Sequence, residues 1–183
     1  MFDSLTKRIG NTDICVVEGD ISKISADAII TSLSPDAFLW DSTIDKVIRK
    51  VAGEHYHNHV KGKLSDLRTI VAKRGKEKHQ GKFDDVLFII DESKSSLDKI
   101  INAGLETANQ QGYHRVLLPP MRIKPLGYIE KTPEEAILKM REGIYSFMNK
   151  YSSKTKLENI TFVIYEDCET AEKLSSLLKE LTF

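Results

Sequence analysis

The sequence predicts an α/β fold of three layers, with helices on both faces of a central sheet. Short apolar runs of strand type alternate with stretches whose apolar residues recur every three or four positions. Val86 to Ile90 is five consecutive apolar residues, as suits a strand covered on both faces. Thr132-Pro133-Glu134-Glu135 is a complete helix start, with a threonine cap, a proline in the first turn and a glutamate three residues on.

The elements follow in order. Ile14-Cys15-Val16-Val17 is a strand that ends at the Gly19-Asp20 turn, and Ala28 to Thr31 is a second, buried one, bounded by Pro35. Ile44, Val47, Ile48, Val51 and Ala52 form one face of a helix. Asp41, Ser42 or Thr43 can cap that helix, and Gly53 interrupts or ends it. Thr69 to Ala72 is a short strand, and the polar run Lys73 to Lys82 leads to the strand at Val86. Leu97, Ile100, Ile101, Leu105 and Ala108 mark the next helix, closed by Gly112. Val116 to Leu118 is a strand that Pro119-Pro120 must end. The Thr132 helix presents Ile137, Met140, Ile144, Phe147 and Met148. Ile160 to Tyr165 is the last strand, and Leu174, Leu177, Leu178 and Leu181 mark the last helix.

The 183 residues suffice for one well-cored domain and contain no linker-like stretch, so one domain over 1–183 is expected. With 27 basic and 27 acidic side chains, the balance argues against a dedicated nucleic-acid binder. Lys61 to Lys82 is locally basic and reads first as a solvated hairpin or loop. No apolar run approaches the ~18 residues that cross a bilayer, so no membrane partner is expected. Met1-Phe2-Asp3-Ser4 lacks the pattern of a signal peptide. Cys15 and Cys168 lie far apart beside apolar runs and are expected to be buried free thiols, which fits a reducing, cytoplasmic setting. His55-Tyr56-His57-Asn58-His59 reads as a polar helix end rather than a metal site, since no carboxylate or thiolate pattern completes a tetrahedral ligand set. No metal and no cofactor are expected.

In an α/β fold of this kind ligands bind beyond the carboxyl ends of the strands. Asp20, Ser34, Arg122 and Tyr165 each end or follow a strand run and are candidates to line one crevice. A carboxylate at a turn suits an exocyclic amine, and a ring at a strand end offers a flat face to a base. Each also has a plainer structural role: Asp20 as a turn cap, Tyr165 as an amphipathic cover of the core.

Val17-Glu18-Gly19-Asp20-Ile21-Ser22, followed by Asp27-Ala28-Ile29-Ile30, resembles the opening of a macro domain. Val163-Ile164-Tyr165-Glu166 resembles the ending of that family's last strand. The resemblance runs from Ile14 to about Leu181. It implies a three-layer α/β/α fold around a mixed sheet, and an ADP-ribose or related adenine-nucleotide binding module. It assigns Asp20 to the adenine amino group, the Ile21 N–H to a ring nitrogen and Tyr165 to stacking on the base.

The same resemblance locates two departures. The family's asparagine pair falls on Thr31 and Ser34, and its glycine run is replaced by Trp40-Asp41-Ser42-Thr43. Ser34, Ser42 and Thr43 are therefore the candidate contacts to the distal ribose. After Pro119-Pro120, Gly127 matches the closing glycine of a second phosphate loop, but Lys124-Pro125 stands where backbone donors are expected. Arg122 and Lys124 are the candidate replacements, through charge-assisted bonds to phosphate, and a solvated surface loop is the alternative. Asp41 is read as a helix cap in preference to a general base, and Trp40 either covers a ligand or plugs an unused pocket. Two alternatives to a binding module stand beside it. One is an interaction unit without nucleotide; the other is a hydrolase of ADP-ribosyl groups or of ADP-ribose 1″-phosphate.

Overall fold

The computed structural model describes residues 4–36, 40–61, 63, 68–123 and 129–183. Seven strands form one sheet: β1 (Leu5–Ile9), β2 (Thr12–Glu18), β3 (Ala26–Leu33), β4 (Thr69–Ala72), β5 (Phe83–Ile90), β6 (Arg115–Leu118) and β7 (Asn159–Ile164). Their order is β1-β2-β7-β6-β3-β5-β4. The five inner strands run parallel, and β1 and β4 close the two edges antiparallel. This is the mixed sheet that the resemblance implies. All five inner strands therefore deliver their carboxyl ends to one edge.

Five helices cover the faces: α1 (Thr43–Ala52), α2 (His55–Lys61), α3 (Leu97–Gln111), α4 (Pro133–Tyr151) and α5 (Cys168–Lys179). The period of two along each strand divides the core into two layers. Ala28, Ile30, Leu87 and Ile89 point to one side, where they pack with Leu105, Met140, Phe147 and Leu174 of α3, α4 and α5. Ile29, Leu33, Val86 and Phe88 point to the other, against Ile48 of α1 and Tyr56 and Val60 of α2. Gly104 of α3 lets that helix lie directly on the sheet, since a Cβ there would come within 2.6 Å of the Ile30 side chain.

Three expectations change. Sequence periodicity did not reveal β1, whose Leu5 and Ile9 alone are buried while its middle residues are polar. The cap of α1 is Ser42, not Asp41. Asp41 is exposed and lies 3.1 Å from Lys46. Of the two free cysteines Cys15 is buried, but Cys168 is exposed in the first turn of α5, where its thiol donates to Glu18 at 3.0 Å.

Candidate functional site

The carboxyl-terminal edge has an open corner, where β2 and β7 end together. The two strands are in register, with Glu18 opposite Ile164, and the Gly19 N–H donates to the Ile164 carbonyl at 3.0 Å. Asp20 and Tyr165, the next residues on each chain, are thereby neighbours. Asp20 caps a single 3-10 turn, Ile21–Lys23. Its Oδ1 accepts from the Ser22 N–H at 3.0 Å and the Ser22 hydroxyl at 2.7 Å, while Oδ2 lies 3.5 Å from the Lys23 ammonium. The Ser22 bonds hold its carboxyl below the usual carboxylate range. Asp20 thus does serve the turn, as one reading of the sequence expects, while its side chain remains one-third exposed. Ile21 packs into the core through its side chain, and its N–H sits at the head of the turn, where no intrahelical acceptor exists.

Tyr165 lies just past β7, with 61% of its surface open to solvent. The Glu166 carboxylate, and more weakly that of Asp20, push its phenol above the ordinary value. Glu166 has a φ of 50°, a left-handed conformation that turns the chain sharply after the ring.

Further along the same edge the side chains are turned inward. Beyond β3 the Ser34 hydroxyl accepts from the Asp36 N–H at 3.1 Å, and the Ser34 carbonyl accepts from the Trp40 indole at 2.7 Å. Trp40 is only 3% exposed and belongs to the core layer beneath α1 and α2. Arg49 donates to the Trp40 carbonyl at 2.5 Å, and the Trp40 ring lies 5.8 Å from that of His57. Trp40 is therefore a core anchor of this segment.

Ser42 and Asp45 form a reciprocal capping box at the head of α1. The Ser42 hydroxyl donates to Asp45 Oδ2 at 2.5 Å and accepts from the Asp45 N–H at 3.3 Å. Asp45 Oδ1 accepts from His57 Nε2 at 3.0 Å. Burial pushes the Asp45 carboxyl up, but the bonds from His57 and Ser42 outweigh it and hold it below the ordinary value. The histidine run is accordingly not a polar end throughout, because His57 is fully buried. Thr43, the first residue of α1, is exposed.

Arg122, a candidate phosphate contact, is turned inward. Its guanidinium is buried between two carboxylates, Asp91 at 2.7 Å and Glu130 at 2.5 Å. Glu130 also accepts from the Leu97 N–H at 2.7 Å and so serves the head of α3. The cause is positional: Asp91 follows β5, Arg122 follows β6, and sequence reading paired neither with the other. Arg122 adopts a φ of 56°, and Ser93, which donates to Asp91, one of 59°. Lys124 and Gly127, the other two candidates in this loop, lie outside the described residues.

Two grooves flank α4 and α5. One of about 490 Å³ is lined by Glu134, Ile137, Glu172, Lys173, Ser176 and Leu177. The other, of about 160 Å³, adjoins it near Ile123, Asp167 and Thr170. Neither is lined by Asp20, Ser34, Ser42 or Tyr165, and the Lys173–Glu134 ion pair at 2.7 Å closes across their common wall. The strand-end corner has the better chemistry for a nucleotide, since it joins an ionised acceptor to an exposed ring.

No family model matches the chain, and no curated protein does. Solved structures do. A macrodomain of Oceanobacillus iheyensis with ADP is 16% identical, with a TM-score of 0.70 over 99% of this chain and 100% of that one. A macrodomain of Trypanosoma brucei in complex with ADP is 15% identical, with a TM-score of 0.73 over 92% and 69%. The Trypanosoma brucei macrodomain in complex with ADP-ribose gives 15% and 0.71 over 89% and 68%. At such identities the likeness is one of fold.

Proposed function

We propose that this chain, which has the macrodomain fold, binds an adenine nucleotide of the ADP-ribose type at the carboxyl-terminal edge of its sheet. The adjacency of Asp20 and Tyr165 carries the proposal, because two residues from opposite ends of the chain meet at one corner with the chemistry a purine needs. The Asp20 carboxylate accepts from the exocyclic amine, the Ile21 N–H donates to a ring nitrogen, and the Tyr165 ring covers the base. That macrodomains of similar fold hold ADP and ADP-ribose supports the same ligand class here. Ser34 and Thr43 are the contacts proposed for the distal portion of the ligand, with Ser42 contributing only what its cap leaves free.

The distal loops favour a second reading. Trp40 and Arg122 are spent on internal contacts, as expected of a unit that recognises protein and no nucleotide. The same commitment is why binding is proposed without hydrolysis.

Calorimetric titration with ADP-ribose and with AMP separates the two readings. We expect both ligands to bind, AMP retaining much of the affinity because the adenine end supplies most of it. Asp20→Asn, which preserves an acceptor for Ser22, should weaken binding by on the order of tenfold, as loss of a charge-assisted hydrogen bond does. Absence of heat with either ligand at high protein concentration leaves the interaction unit. Release of ADP-ribose from a modified substrate faster than in buffer would extend the activity to hydrolysis.

A further inference from the structure

The zero net charge is an average over two strongly opposed regions. Residues 46–82 hold eleven lysines and arginines against Glu54, Asp66 and Glu77, so the remainder of the chain carries sixteen basic against twenty-four acidic residues. Four of the five histidines are in the same stretch.

Tertiary contacts gather its described part into one surface. The Gln80 N–H donates to the Val51 carbonyl at the end of α1, and the Tyr56 hydroxyl of α2 lies 2.9 Å from His79 Nε2. His55 Nε2 lies 2.9 Å from the Lys73 carbonyl. Lys50, Lys76, Lys78 and Lys82 are all exposed. None of them is paired with a carboxylate among the described residues. Lys63 lies 2.7 Å from His59 Nε2, and Lys63 and His55, after burial, hold the His59 imidazole below its ordinary value. Burial and then Arg74 do the same at His79, against the opposing pull of Asp84.

The surface borders the turn that Asp20 caps, since the Lys82 N–H donates to the Ser22 carbonyl at 2.9 Å, and from there it extends over the amino-terminal end of β5, where Phe83 pairs with Ala26. It presents no exposed tyrosine, phenylalanine or tryptophan, because Tyr56 is the only one in the stretch and is fully buried. Cationic density without a stacking platform suits a regular array of phosphates more than unstacked bases.

We propose that α2 and the β4–β5 connection form a docking surface for double-stranded nucleic acid, gripped through its phosphate backbone without base readout.

Fluorescence anisotropy of the full chain with a labelled DNA duplex of about 20 base pairs tests this. Binding should weaken on the order of a hundredfold between about 50 and about 200 mM salt if roughly four phosphates are neutralised. Lys76→Glu with Lys78→Glu should weaken duplex binding at least about tenfold and flatten the salt dependence, as loss of two phosphate contacts requires. Thermal unfolding of that double variant should match the parent, as both side chains are exposed. The proposal is overturned by no anisotropy change at low salt, or by unchanged affinity in the double variant. Tighter binding of the single strand, poly-glutamate or phosphatidylserine vesicles than of the duplex also overturns it.

Discussion

Two stretches of one sheet edge have opposite character. At the β2/β7 corner Tyr165 is 61% exposed and Asp20 keeps one carboxylate oxygen toward solvent and Lys23. At the ends of β3, β5 and β6, Trp40 is 3% exposed and Arg122 is enclosed by Asp91 and Glu130. A shared edge therefore does not make a shared site. Ligand capacity depends on which polar groups the fold has already used, and here one corner is open while the other holds the loops in place.

The sharpest way to break this contrast is Arg122→Ala. It leaves two buried carboxylates without their cation and should cost about 3–5 kcal/mol by urea unfolding at neutral pH. The loss should shrink in acid, because Arg122 helps to hold the Glu130 carboxyl, against its burial, below its ordinary 4.5, and that part of its contribution vanishes once Glu130 is protonated. A loss under about 1 kcal/mol would mean that the triad is not what fixes the closed side. Trp40→Ala comes next, at about 3 kcal/mol for a buried tryptophan, again by urea unfolding. If nucleotide affinity rises in that variant, Trp40 also restricts the site.

Tyr165→Ala sharpens the comparison from the open side. Its stability should change by less than about 0.5 kcal/mol, as for an exposed residue, while AMP binding should lose about 1–3 kcal/mol of stacking by calorimetry. The smallest effect is that of Ser42→Ala, about 1 kcal/mol for a lost cap. It carries a pH signature. Because Asp45 is held below its ordinary 3.8, it contributes stability that is present above that pH and lost as the pH falls through its lower folded value. Removing Ser42 raises the folded value, so acid unfolding should begin at a higher pH, as followed by circular dichroism.

Much of the fold was legible because it is local. Ile44 to Ala52 and Ile137 to Met148 repeat at helical spacing, and both stretches are helices. Thr132 caps α4 by accepting from the Glu135 N–H, as its tetrapeptide predicts. β1 was not legible, since a polar edge strand with two buried ends has no strong period. That Asp20 and Tyr165 follow strands was legible, but the partners of Arg122 were not. One carboxylate follows β5 and the other precedes α4, and a loop arginine near prolines carries no signal of burial. Cys168 misled for a similar reason: an apolar strand precedes it, yet Asp167 starts a helix whose first turn faces solvent.

By itself the sequence determined the alternation of strands and helices, the Thr132 cap and the places of an acid and a ring just past two strands. These depend on periods and spacings of a few residues, which the chain carries wherever it folds. The tertiary structure decided which charges meet, that Trp40 and His57 lie inside, and that the described part of the β4–β5 connection packs back on α1 and α2. Such outcomes depend on distances through space between strand ends far apart in the chain, where desolvation is severe enough that every buried charge must find a partner.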